Sequence, residues 1–167
     1  EKHFDYLESA RRRGVELDVV IGDARLSLER QQPQGFDVLV LDAFASDAVP
    51  VHLLTREAFA VYRRHLAEDG VLALHVSTAH FQLQPLVTAL AESIEMQSLT
   101  VVSAPDLSRG QQACQWMLVA FGDVVARVPA LAGLDTVRRR EEIPPTADSA
   151  ILQPTARRVL WTDSFSN

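Results

Sequence analysis

The sequence predicts an α/β domain on a mostly parallel sheet that closes with a C-terminal antiparallel hairpin. Three observations carry this expectation. Apolar runs with strand spacing alternate with runs of helical spacing, the pattern of a parallel sheet with crossover helices on both faces. Two successive strand-like runs, Leu17–Ile21 and Phe36–Leu41, are each followed by a carboxylate, Asp23 and Asp42. The last two, Leu99–Ser103 and Gln115–Phe121, are joined by a polar loop at Pro105–Gln112 that is short for a crossover helix. That makes the final pair antiparallel.

Each element has a local reason. Glu1–Arg13 reads as the end of an amphipathic helix, with Phe4 and Leu7 on one face and Gly14 as its stop. Leu17–Ile21 is a β-branched strand, Ala24–Gln31 a short helix closed by Pro33–Gly35, and Phe36–Leu41 the next strand. Thr55 is placed to cap a helix over Arg56–Leu66, with Phe59, Tyr62 and Leu66 at helical spacing and Glu68-Asp69-Gly70 ending it. Val71–Val76 is a strand, and Phe81–Glu95 a helix whose first turn tolerates Pro85. Beyond Gly122 the pattern weakens to a short helix within Val124–Arg140, an extended Ile143–Pro145 and a small element at Val159–Trp161. One domain over residues 1–167, with a less regular tail at 122–167, is expected.

The 167 residues are 47 % hydrophobic and 23 % charged, enough for one soluble domain with a real core. A net charge of −6 argues against nucleic acid or an anionic membrane as partner. Cys114 is the single cysteine, so no intrachain disulfide forms, which suits a reducing, cytoplasmic setting. No apolar run approaches the ~20 residues of a membrane span. His3, His52, His65, His75 and His80 show no ligand spacing with a cysteine or acid, so no metal is expected. Ser27, Ser46 and Ser77 lack the context of a nucleophile elbow.

Candidate chemistry concentrates in GFDVLVLDAFASDAVP at Gly35–Pro50 and in GDA at Gly22–Ala24. A strand buried on both faces keeps no charge within it, but its carboxyl end opens into the crevice where such sheets bind ligands. Asp42 and Asp23 sit at two such ends, and Asp47 follows in an apolar loop. Structural roles stand beside these. A strand-terminal acid can cap a loop, Gly-Asp is also a common turn, and Asp47 can be solvated. His75 reads as a hydrogen-bonded core histidine, Trp116 as strand packing, and Arg11–Arg13 and Arg138–Arg140 as solvated faces.

The chain resembles the spermidine synthase family in VVIGDARLSLER (19–30), FDVLVLDAFASDAVPVHLLTREAF (36–59), HLAEDGVLALHVS (65–77) and LWTDSFSN (160–167). The resemblance implies a Rossmann-like, methyltransferase-like sheet and aminopropyl transfer from decarboxylated S-adenosylmethionine to a polyamine, a small-molecule amine. It places Asp23 and Ala24 at the adenine, with Pro50 nearby. It makes Asp42 the base that receives the attacking amine's proton and Asp47 a second acid holding the amine. Trp161, Asp163 and Phe165 match a tail motif with no chemical role assigned.

The family's Gly-rich loop, with its GxGxxG-type spacing, appears nowhere in the chain. By resemblance, that loop and the acid for the ribose hydroxyls would precede Glu1. The expectation is therefore an N-terminally truncated domain, incomplete and inactive as this chain, that binds the nucleoside poorly or not at all, with two central strands absent between the strands ending at Asp23 and Asp42. Two alternatives stay open. One keeps S-adenosylmethionine and changes the reaction to methyl transfer. The other is a non-catalytic interaction module, in which a homodimer covers the unpaired strand edges.

Overall fold

A computed structural model describes residues 5–43, 50–78, 82–123, 131, 137–138 and 160–165. In chain order its elements are helices α1 (Tyr6–Arg12) and α2 (Ala24–Arg30), strand β1 (Phe36–Leu41), helix α3 (Arg56–His65), strand β2 (Leu66–His75), helix α4 (Gln84–Ser93), and strands β3 (Gln97–Ser103), β4 (Cys114–Ala120) and β5 (Val137–Arg138). Single 3₁₀ turns lie at Val51–Leu53, Leu107–Arg109 and Asp163–Phe165. Asp47, Phe81 and the extended stretch at 143–145 lie outside the described residues, as does most of 122–167.

The sheet runs in the order β1-β2-β4-β3-β5. β1 and β2 are parallel, with Leu39 opposite Leu72 and Leu41 opposite Leu74. β2 pairs antiparallel with β4, and β4 antiparallel with β3 across the hairpin. The expected architecture of a parallel start and an antiparallel close is present, and its parallel part is one strand pair among the described residues.

Alternate residues face the helices. Leu41, Leu72, Leu74, Met117 and Val119 join Phe59 and Tyr62 of α3 and Leu86, Val87 and Leu90 of α4 in one buried cluster. Burying each such side chain contributes about 1.5–3 kcal/mol. Thr55 caps α3 as its sequence suggests, its Oγ1 accepting from Ala58 N at 3.2 Å. Pro85 occupies the first turn of α4, where its missing N–H costs no intrahelical bond. No described helix is long and apolar enough to cross a membrane.

Three expectations are corrected. Residues 17–21 form no strand: the segment runs outside the sheet, with Ile21 91 % exposed. Its β-branched composition favours extended backbone, but a strand needs a neighbouring edge, and no described strand lies on that side of β1. Sheet cover also differs, because α3 and α4 both pack on the face of Leu72 and Leu74. On the opposite face Val38 and Val40 remain more than half exposed.

The third correction concerns the start of β2. The Glu68–Gly70 turn signal does not separate helix from strand, because β2 begins at Leu66 directly after α3. Its register against β1 jumps from Phe36–Leu66 to Val38–Val71, leaving Gly70 packed on the Phe36 carbonyl. A Cβ at Gly70 would stand 2.5 Å from that oxygen, so only glycine fits.

Candidate active site

The carboxyl ends of β1 and β2 assemble the first cluster. Asp42 follows the last residue of β1, and His75 is the last residue of β2. Because Leu41 lies opposite Leu74, the parallel register brings the next pair, Asp42 and His75, side by side. Their side chains meet at 2.9 Å, His75 Nδ1 to Asp42 Oδ1. On the other side of β2, Trp116 of β4 is the cross-strand partner of His75, and its ring stacks on the imidazole at 4.9 Å and 25°. Asp42 is 57 % exposed and His75 24 %. The pair is reachable from solvent, not sealed in the core.

A second cluster forms around the start of α2. Asp23 is the N-cap, one carboxylate oxygen accepting from Leu26 N at 2.8 Å and the other lying 3.0 Å from His52 Nε2. The Leu26 N–H, with His52 beside it, holds the Asp23 carboxyl below its ordinary range. Gly22, just before it, has φ +145°, a conformation that favours glycine. Ala24 opens α2, and Pro50 precedes the turn that carries His52. Asp23, Ala24 and the Pro50 turn thus come together through His52, while Asp47 lies outside the described residues.

Arg25 locks this second cluster to the rest of the molecule. Its Nη1 donates to the His52 carbonyl at 2.7 Å and to Asp163 Oδ1 at 2.8 Å, and its Nε donates to Glu29 at 2.8 Å. Thr55 Oγ1 also donates to Asp163 Oδ1, at 2.8 Å. The terminal segment is held further by Arg56 N donating to Trp161 O at 2.9 Å and Asp163 N to Glu57 at 3.1 Å. The Arg25 guanidinium holds the Asp163 carboxyl below its ordinary range, and the same pairing raises Arg25. The tail motif therefore has a physical role, clamping the turn of His52 and the start of α3.

Sequence reasoning missed His75, His52 and Arg25 as members of these clusters. For His75 a signal existed, since it ends an apolar strand in the same way that Asp42 follows one. For Arg25 none did, because its partner lies 138 positions away. Among the described residues, no group of three His, Cys, Asp or Glu side chains could hold a metal ion.

No protein-family model matches the sequence, and no curated protein matches it. Solved structures do. A spermidine synthase from Thermotoga maritima aligns over 98 % of this chain and 49 % of its own at 12 % identity, with a TM-score of 0.52. A probable spermidine synthase from Corynebacterium glutamicum ATCC 13032 aligns over 80 % of this chain and 53 % of its own at 19 % identity, with a TM-score of 0.47. The chain thus spans about half the length of each of these structures. At these identities the likeness concerns architecture, and the chain has a spermidine synthase-like, Rossmann-type fold.

Proposed function

We propose that this chain is part of a transferase domain, incomplete and inactive by itself, that in the intact protein moves an aminopropyl group from decarboxylated S-adenosylmethionine to a small amine. The observation that carries the reading is the Asp42–His75 pair at the carboxyl ends of two adjacent parallel strands. Ligands bind at this position in open α/β sheets. The base function of the site belongs to the Asp42–His75 pair, Asp23 with Ala24 and Pro50 forms the adenine end, and Asp47 holds the amine acceptor.

The residues fit the adenine end of the donor. Each carboxylate oxygen of Asp23 keeps acceptor capacity beyond Leu26 N–H and His52, enough for the exocyclic amine. The N–H of Ala24 stands in the first turn of α2, where it has no intrahelical acceptor. The bound donor supplies a carbon made electrophilic by its sulfonium. This chain's part is to attract two cations with carboxylates, remove a proton from the ammonium and hold the amine in line. The testing experiment offers the intact protein decarboxylated and ordinary S-adenosylmethionine with a diamine. Aminopropylated product from the decarboxylated donor supports the reading, and methylated product from the ordinary donor replaces it with methyl transfer.

One observation favours a second, non-catalytic reading. Among the described strands β1 lies at the sheet edge, and its Val38 and Val40 are 59 % and 55 % exposed, an apolar edge of the kind that pairs with another chain. Two copies joined through β1 would cover it. Sedimentation showing a stable dimer without transferase activity would support that reading, and an active monomer would remove it.

A further inference from the structure

We propose that the proton-accepting atom of this site is Nε2 of His75, with Asp42 serving as the carboxylate that orients the ring. The proposal deepens the transferase reading and rests on it for its substrate, an ammonium-bearing amine.

The geometry starts from the sheet. Register places Asp42, His75 and Trp116 in one row across three neighbouring strands, so the arrangement follows from backbone pairing and not from a mobile loop. An ionised carboxylate only accepts hydrogen bonds. The 2.9 Å contact between Asp42 Oδ1 and His75 Nδ1 therefore sets the neutral imidazole with its proton on Nδ1. The lone pair is then on Nε2, and among the described residues no hydrogen bond to Nε2 is present. The Trp116 ring, 4.9 Å from the imidazole, restrains the ring's rotation from one face. His75 is partly exposed, as a proton acceptor must be and a sealed core histidine would not be.

Basicity points the same way. An ordinary imidazole is a stronger base than an ordinary carboxylate by about 2–3 pK units. A general base works best when its own pKa lies near the working pH. Carboxylate, imidazole and a substrate proton in sequence form the arrangement that activates hydroxyl nucleophiles in hydrolases, here with an amine in the hydroxyl's place. In the step, the N–H bond of the ammonium breaks and its proton goes to Nε2. The freed nitrogen lone pair forms the N–C bond as the C–S bond breaks, and the sulfur leaves as a neutral thioether. Asp42 stabilises the resulting imidazolium.

Two measurements test this, NMR on this chain and transfer rates in an intact protein that carries it. Imidazole ¹⁵N NMR is expected to show neutral His75 with its proton on Nδ1, and D42N is expected to lose that preference. A proton on Nε2, or a tautomer unchanged in D42N, would overturn the proposal. H75N keeps an N–H for Asp42 but has no basic nitrogen, so transfer is expected to fall about 10²–10⁴-fold. An undiminished rate in H75N would make His75 a structural residue only. The proton on Nδ1 in an intact protein that transfers to no amine would count against the transferase reading while supporting Nε2 as the free basic atom.

Discussion

Arg25 at the start of α2 and Asp163 in the terminal segment form a two-pronged ion pair, Nη1 to Oδ1 at 2.8 Å and Nη2 to Oδ2 at 2.5 Å. The guanidinium is 11 % exposed and the carboxylate 43 %, so the pair sits at the protein surface with its cation tucked under the tail. It joins residues whose neighbours bear on the proposed adenine end of the site, because the same guanidinium holds the carbonyl of His52 and His52 meets Asp23.

D163N keeps the shape of the side chain and removes the charge. Partial exposure discounts the pair, so the expected loss is about 1 kcal/mol, or about 2–4 °C in Tm for a chain of this size. Thermal unfolding checks it. R25K is expected to do comparable damage, since a point charge does not reproduce the fork.

Acid tests the same contact with a defined sign. Asp163 and Asp23 both titrate below the ordinary carboxylate value of 3.8 when folded. Such groups add stability that is fully present above that value and is lost as pH falls through the lower folded value. Urea midpoints should therefore hold between pH 7 and 5 as far as these groups decide, and decline below about pH 4. D163N should show a shallower decline. An equal slope in both proteins would mean that Asp163 is not coupled to folding.

Thr55 is fully buried and serves two masters, capping α3 through Ala58 N and donating to Asp163. T55A is expected to cost about 1–2 kcal/mol. Because Thr55 and Asp163 touch, T55A/D163N should lose less than the sum of the single changes, with a coupling of at least about 0.5 kcal/mol. Additive losses in urea unfolding would contradict the shared network.

Gly70 probes the joint between β1 and β2. An alanine methyl there would stand 2.5 Å from the Phe36 carbonyl oxygen and 3.0 Å from Ala67 N, both of them backbone atoms. G70A is expected to destabilise by about 1–3 kcal/mol and to raise amide exchange in β1 first, with β3 and β4 protected longer.

Much of this was legible in the sequence where the determinants are local. The bounds of β1 follow from its apolar run, and the start of α3 from Thr55 and the periodicity of Phe59 and Tyr62. Residues 17–21 were not, because strand composition says nothing about whether an edge is present to pair with. The start of β2 at Leu66 was hidden by Glu68–Gly70, which reads as a turn but is absorbed by a register jump against Phe36. Asp42 was legible as a strand-terminal acid, but its partner depended on the register of a second strand, and Asp163 on a contact across nearly the whole chain.

The central claim is that the Asp42–His75 pair at the ends of β1 and β2 activates an amine for group transfer. The most direct measurement is the rate at which an intact protein carrying this chain together with a Gly-rich nucleoside loop converts decarboxylated S-adenosylmethionine and a diamine to thioether nucleoside and aminopropylated amine, compared with D42N. The account predicts turnover by the intact protein and a fall of about 10²–10⁴-fold in D42N, with the fold intact by circular dichroism. No turnover by the intact protein, or equal rates with and without the substitution, would contradict it.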